Sequence, residues 1–132
     1  MANGTAIVTC LALLQYALVT GRVARARGKY NIEAPAITGH PLFERALRIQ
    51  ANTVEQLVLF LPSLWLFSFY VSSLWASLIG LIWVAGRILY MVNYTADPRK
   101  RGRGFGIALA ANAVLLFGAL IASILQLFES GF

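Results

Sequence analysis

The chain is short of charge, of thiols and of histidine. Only 12% of its 132 residues are Asp, Glu, Lys or Arg, about half the share of a soluble domain, so a water-facing globular surface is excluded. The one cysteine, Cys10, forbids an intrachain disulfide; it falls in the first apolar stretch, where a buried structural thiol is expected. The one histidine, His40, lies in a Gly39-His40-Pro41 turn without a second ligand spaced near it, so a solvated imidazole and no metal site are expected. Phosphate loops, nucleophile elbows and dinucleotide fingerprints are missing. Internal repeats and low-complexity tracts are missing too.

What the chain has is hydrophobic length. Apolar residues make up 59% of it and the mean hydropathy is +0.72. Four stretches near the ~20 residues that a bilayer crossing needs fall at roughly 4–22, 46–71, 74–95 and 104–127. Residues 1–132 therefore read as a single transmembrane domain, an all-α integral membrane bundle of four helices. The first stretch follows an uncharged Met1–Gly4 segment and precedes its basic cluster, the reverse of a secretory signal, and reads as a retained helix.

Breakers set the element ends. The first helix is expected from Thr5 to about Arg22, and Gly28, Pro35, Gly39 and Pro41 then interrupt helix. The second is expected from near Leu42 through Leu66, bent at Pro62. The third should start after Tyr70-Val71-Ser72-Ser73 and stop at Ala96-Asp97-Pro98, and the fourth should run from near Gly104 to Glu129. Gly106, Ala110, Ala113 and Gly118 suit that last helix to close packing in lipid, and Tyr16, Tyr70 and Trp75 suit interface or packing positions.

The net charge of +6 suggests nucleic acid only until its positions are read. All Lys and Arg fall between Arg22 and Arg48 or between Arg87 and Arg103, around the two loops that four alternating helices put on one side. No nucleic-acid partner is expected. The positive-inside rule makes that side cytoplasmic and the termini face the other way. Without an evident retrieval signal, a bacterial inner membrane is favoured over the endoplasmic reticulum.

Ionisable side chains inside apolar helices are costly and mark function. On the second helix Glu44, Arg45, Arg48, Asn52 and Glu55 share one stripe at ~100° per residue, and on the third Arg87, Tyr90 and Tyr94 share a face. A Glu55–Arg87 pair, with Arg45 and Arg48 reaching for the interface, is the structural reading. Against it, donors and cations outnumber acids in the cluster, which an anionic or zwitterionic ligand would complete. Transport is disfavoured, because broken-helix pairs and repeat symmetry are missing.

The segment Phe43-Glu44-Arg45-Ala46-Leu47-Arg48-Ile49-Gln50-Ala51-Asn52-Thr53-Val54-Glu55 resembles the signature of the MAPEG family (membrane-associated proteins in eicosanoid and glutathione metabolism), specifically its microsomal glutathione transferase-like members. The resemblance spans nearly the whole chain, through Pro35 and Gly39 to Arg87-Ile88-Leu89-Tyr90, Tyr94 and a basic connection into the fourth helix. It implies a homotrimer holding glutathione as co-substrate between subunits near the cytoplasmic face, with a hydrophobic electrophile or lipid arriving from the membrane. By position it implies that Arg48, Asn52, Glu55, Tyr90 and Tyr94 hold glutathione, that Gln50 and Arg27 add contacts, and that Arg101 is catalytic by stabilising the thiolate; Arg87, on the face of Tyr90 and Tyr94, is expected to join the glutathione-binding set.

Gln56-Leu57-Val58 and Gly28 depart from eicosanoid-specialised members. The resemblance therefore points to a detoxifying glutathione transferase, with glutathione-dependent reduction of lipid peroxides as a companion activity. The competing reading is a non-catalytic lipid-binding scaffold resembling the lipoxygenase-activating protein, and the intact donor stripe opposes it.

Overall fold

A stripe of inward-facing residues at three- and four-residue spacing runs the length of the first helix: Thr5, Val8, Ala12, Gln15, Val19 and Val23. In the computed structural model, which describes residues 1–132, this helix, α1, spans Asn3–Lys29. It continues well past Arg22, the expected end. Nothing in Val23–Arg27 opposes helix, and Arg27 and Lys29 in the last turn complement the negative end of its dipole. Asn31 then takes a left-handed conformation with φ 53°, which asparagine tolerates.

The connection folds back on itself. Gly39 has φ 146°, and a side chain there would meet Ile32. His40 is not simply solvated as expected: its ring stacks on Tyr30 at 3.6 Å, and its Nδ1 accepts the Leu42 N–H at 3.1 Å, capping α2 (Pro41–Tyr70). Pro41 at the first helical position needs no N–H partner. α2 continues through Pro62 to Tyr70. After a two-residue turn, the Ser72 hydroxyl caps α3 (Ser73–Ala96). Asp97 then caps a 3₁₀ turn, Pro98–Lys100, that leads into α4 (Gly102–Ser130). The Arg99 backbone N–H and guanidinium hold the Asp97 carboxyl below the usual carboxylate range.

All four helices are long and apolar enough to cross a membrane. Large apolar side chains such as Ile7, Val58, Phe69, Trp75 and Phe117 cover the outer surface, as hydrocarbon surroundings favour. Cys10 is on that surface, exposed in this chain, which overturns the expected burial: the inward stripe of α1 passes through Val8 and Ala12 and leaves position 10 outside. The core is built around Phe60 stacked on Trp83 at 4.0 Å, with Val8, Ala12, Leu64 and Leu115 about it.

Two registers position the site. α1 and α3 run parallel with a nearly constant offset: Gly4 lies against Ser77, Val8 against Gly80, and Arg22 Nη2 donates to Thr95 Oγ1 at 3.0 Å. α3 and α4 approach backbone to backbone. A Cβ on Gly86 would lie 2.9 Å from the Ala108 nitrogen and 3.1 Å from the Gly104 oxygen, and one on Gly104 would run into the Tyr90 backbone. The small residues that pack on α4 are therefore Gly104, Ala108, Ala111 and Ala119. Gly118 does meet Phe67, but Gly106 and Ala110 are exposed.

Gly104→Val should force α3 and α4 apart and destabilise the protein by about 2 kcal/mol or more, in line with overpacked interiors. Gly28→Ala, where a Cβ meets nothing, should not. Thermal unfolding of both variants in detergent separates these outcomes.

Candidate functional site

Because α4 starts where α3 ends, and the two helices touch at Gly86 and Gly104, the last turns of α3 and the first turn of α4 share a wall. The first half of α2 closes the other side. Between them lies a pocket of ≈ 490 Å³ lined by Arg48 and Asn52 from α2, Tyr90 and Tyr94 from α3, and Arg101, Gly102 and Phe105 at the start of α4. The Tyr90 ring stands 5.5 Å from Tyr94 and 6.2 Å from Phe105 between centroids.

Arg87, expected among the glutathione-binding residues, does not line this pocket and forms the support beneath its wall. It is fully buried, and its Nη1 donates to Asn52 Oδ1 and its Nη2 to Thr53 Oγ1, both at 2.8 Å. Its guanidinium carbon lies 4.2 Å from the Tyr90 ring centroid, a favourable cation–π geometry. One buried cation thus fixes a pocket residue on α2 and another on α3. The Glu55–Arg87 pair weighed as the alternative to a ligand site does not form, since the one ion pair of the chain joins Asp97 and Arg99.

The electrostatics are one-sided. Arg48 and Arg101 both line the pocket and neither has a carboxylate partner. Arg101 is held by donating from Nη1 to the Pro98 carbonyl at 2.7 Å, which leaves its other donors free. Two guanidinium groups, an amide and two phenols around one open volume make a site for an anion, with arginine suited to carboxylate and thiolate groups alike.

The helical stripe read from the sequence is divided among three surroundings. At ~100° per residue its five members span an arc of about 100°, wide enough to meet different neighbours. Arg48 and Asn52 enter the pocket. Arg45 donates to the Thr95 carbonyl at 2.9 Å, tying down the end of α3. Glu44 and Glu55 are exposed; Glu55, one turn beyond Asn52, faces outward on α2. Arg27 and Gln50 lie elsewhere. Arg27 donates to the Ala36 carbonyl at 2.7 Å and covers the Phe43 ring, and Gln50 donates to Thr20 on α1 at 3.2 Å.

Three contributors escaped the sequence reading. Phe105 lies one turn after Arg101, so the same spacing rule would have found it. Thr53 belongs to the inward stripe of α2 with Ile49 and Leu57, where a hydroxyl among apolar residues is a usable signal. Gly102 lines the pocket with its backbone and left no such signal.

Comparison with known proteins agrees with this architecture. The model of the MAPEG family matches residues 5–121. An uncharacterized protein of Synechocystis is 43% identical over 92% of this chain and 89% of its own length. Human microsomal glutathione S-transferase 2 is 39% identical over 87% of this chain and 79% of its own, and leukotriene C4 synthase of Cavia porcellus is 36% identical over 73% and 64%. With a family match over nearly its whole length and four membrane-spanning helices, the chain belongs to the MAPEG family.

Proposed function

We propose that this protein is a membrane-bound glutathione transferase that conjugates glutathione to hydrophobic electrophiles and also reduces lipid peroxides to alcohols and water with two glutathione molecules, which leave as their disulfide. The observation that carries the reading is the pocket between α2, α3 and α4, where Arg48 and Arg101 stand without carboxylate partners opposite Tyr90 and Tyr94. The microsomal glutathione S-transferases among its relatives support it.

Glutathione carries two carboxylates, an ammonium and a thiol. Arg48 and the Asn52 amide suit a carboxylate, and the outward-facing Glu55, ~4.5 Å along α2 from Asn52, suits the ammonium at the rim. Arg27 and Gln50, which face away from the pocket of their own chain, become useful in a homotrimer, in which they meet the glutathione held by the next subunit. The positive-inside rule gives such a site a cytoplasmic opening, where glutathione is available.

A cysteine thiol with a pKa of about 8.5 is mostly protonated at neutral pH. The Arg101 guanidinium favours its thiolate, and the released proton passes to water at the pocket mouth. The sulfur pair then forms a C–S bond to the electrophilic carbon. A leaving group departs with its electron pair, or, where the electrophile is an activated alkene, the new carbanion takes a proton from water.

Mixing purified protein with glutathione should produce thiolate absorbance in the ultraviolet. In Arg101→Ala that absorbance should be lost and kcat for conjugation of an aryl halide should fall about 25-fold at pH 7, the loss of thiolate when ~2 pKa units of stabilisation are removed. Unchanged turnover in Arg101→Ala would remove the role given to this residue. Failure of the wild-type protein to bind glutathione would turn the reading to a lipid-binding scaffold.

Glu55→Gln should raise the Kd for glutathione about 10-fold or more, the loss of one charge-assisted hydrogen bond, as measured by calorimetric titration. The Kd for a glutathione analogue lacking the amino group should be the same in both proteins.

A further inference from the structure

Arg87 has one nitrogen without a partner. Two of its nitrogens are engaged by Asn52 and Thr53, but Nε is buried without a partner in the chain. Both polar atoms of the Gln15 side chain are in the same condition, and Gln15 is 7% exposed on the inward stripe of α1. An unengaged amide and an unengaged guanidinium donor inside an apolar bundle each carry a desolvation cost.

The register of α1 on α3 brings the two together. Val8 lies against Gly80, and seven residues further along both parallel helices stand Gln15 and Arg87. Seven residues make nearly two whole turns, so both return to the faces of the contact they follow. On the far side Arg22 meets Thr95 at a matching offset, so the register holds past this level. Of the residues on α3 at that level, Ile88 is exposed and Arg87 is buried.

We propose that Gln15 is a positioning residue for the pocket, linked to Arg87 by one buried water molecule that accepts the Arg87 Nε–H and donates to the Gln15 carboxamide oxygen. The water suits a site with this much unused hydrogen-bonding capacity, since buried waters typically take about three such bonds. The link gives each of the three Arg87 nitrogens a hydrogen-bond partner. It extends the support of Asn52 and Tyr90 to α1, a helix that contributes no side chain to the pocket wall. The role in glutathione binding rests on the function proposed above.

Gln15→Leu and Gln15→Glu separate positioning from mere filling. An idle buried glutamine replaced by leucine should leave glutathione binding unchanged and hold or raise thermal stability. A positioning glutamine predicts that Gln15→Leu raises the Kd for glutathione about 10-fold, while Gln15→Glu, which keeps an acceptor, stays within about 2-fold of wild type. The coupling itself is read without glutathione, from the Arg87 Nε–H resonance of nitrogen-15-labelled protein, assigned by its disappearance in Arg87→Lys. That resonance should move in Gln15→Leu. A resonance that does not move overturns the coupling. One that moves while Kd stays constant overturns the positioning role. A resonance that moves in a protein whose wild type binds no glutathione supports the coupling and defeats the function proposed above.

Discussion

The site depends on how closely α3 and α4 approach at Gly86 and Gly104. No apolar driving force brings helices together in lipid, where hydrocarbon tails compete on equal terms with side chains, so association relies on contacts that lipid cannot make. Here the contact is backbone on backbone, possible because two side chains are missing at facing positions. Tyr90 sits where Gly104 touches α3, and Arg101 lies one turn before that glycine. The separation of the phenol wall from the guanidinium wall is therefore set by two hydrogen atoms standing in place of methyl groups.

Within that frame Arg87 joins stability to function. A buried guanidinium is expensive unless its donors are engaged, and the residues that engage it include two members of the pocket wall, Asn52 and Tyr90. Hydrogen bonds to a charged group contribute about 1.5–3 kcal/mol each, and losing one leaves the other donors to bear the cost. The groups facing the pocket are thus stiffened by a cation that does not line it. Arg45 acts similarly at the periphery, holding the last carbonyls of α3 so that the connection into α4 starts from a fixed point.

Much of this was legible in the residues themselves. The four spans, the gathering of cations at one end and the polar stripe from Glu44 to Glu55 required only hydropathy, charge positions and spacing, and the segment from Phe43 to Glu55 added its resemblance to a family signature. The neighbours of each helix face were not legible. Periodicity gives the phase of a helix about its own axis and is silent on which partner each part of an arc meets, so one stripe on α2 yielded pocket residues, a tether to α3 and outward-facing carboxylates. The same silence hid the packing face of α4, where Gly104 and Ala108 differ from Gly106 and Ala110 by about half a turn and nothing in composition. Burial of Cys10 was expected from the apolarity of its surroundings, but in a membrane protein the outside is apolar too.

The pocket wall is mostly polar, while most of the large apolar side chains lie outside, along the flanks of the bundle. For a conjugating site built this way, the protein need not carry a greasy cavity for its second substrate. Each methylene moved from water into hydrocarbon is worth ~0.8 kcal/mol, so the bilayer enriches oily solutes before any protein contact is made. Selectivity among electrophiles then becomes a matter of solubility and of lateral entry, and the lipid composition of the host enters the apparent affinity as if it were part of the active site.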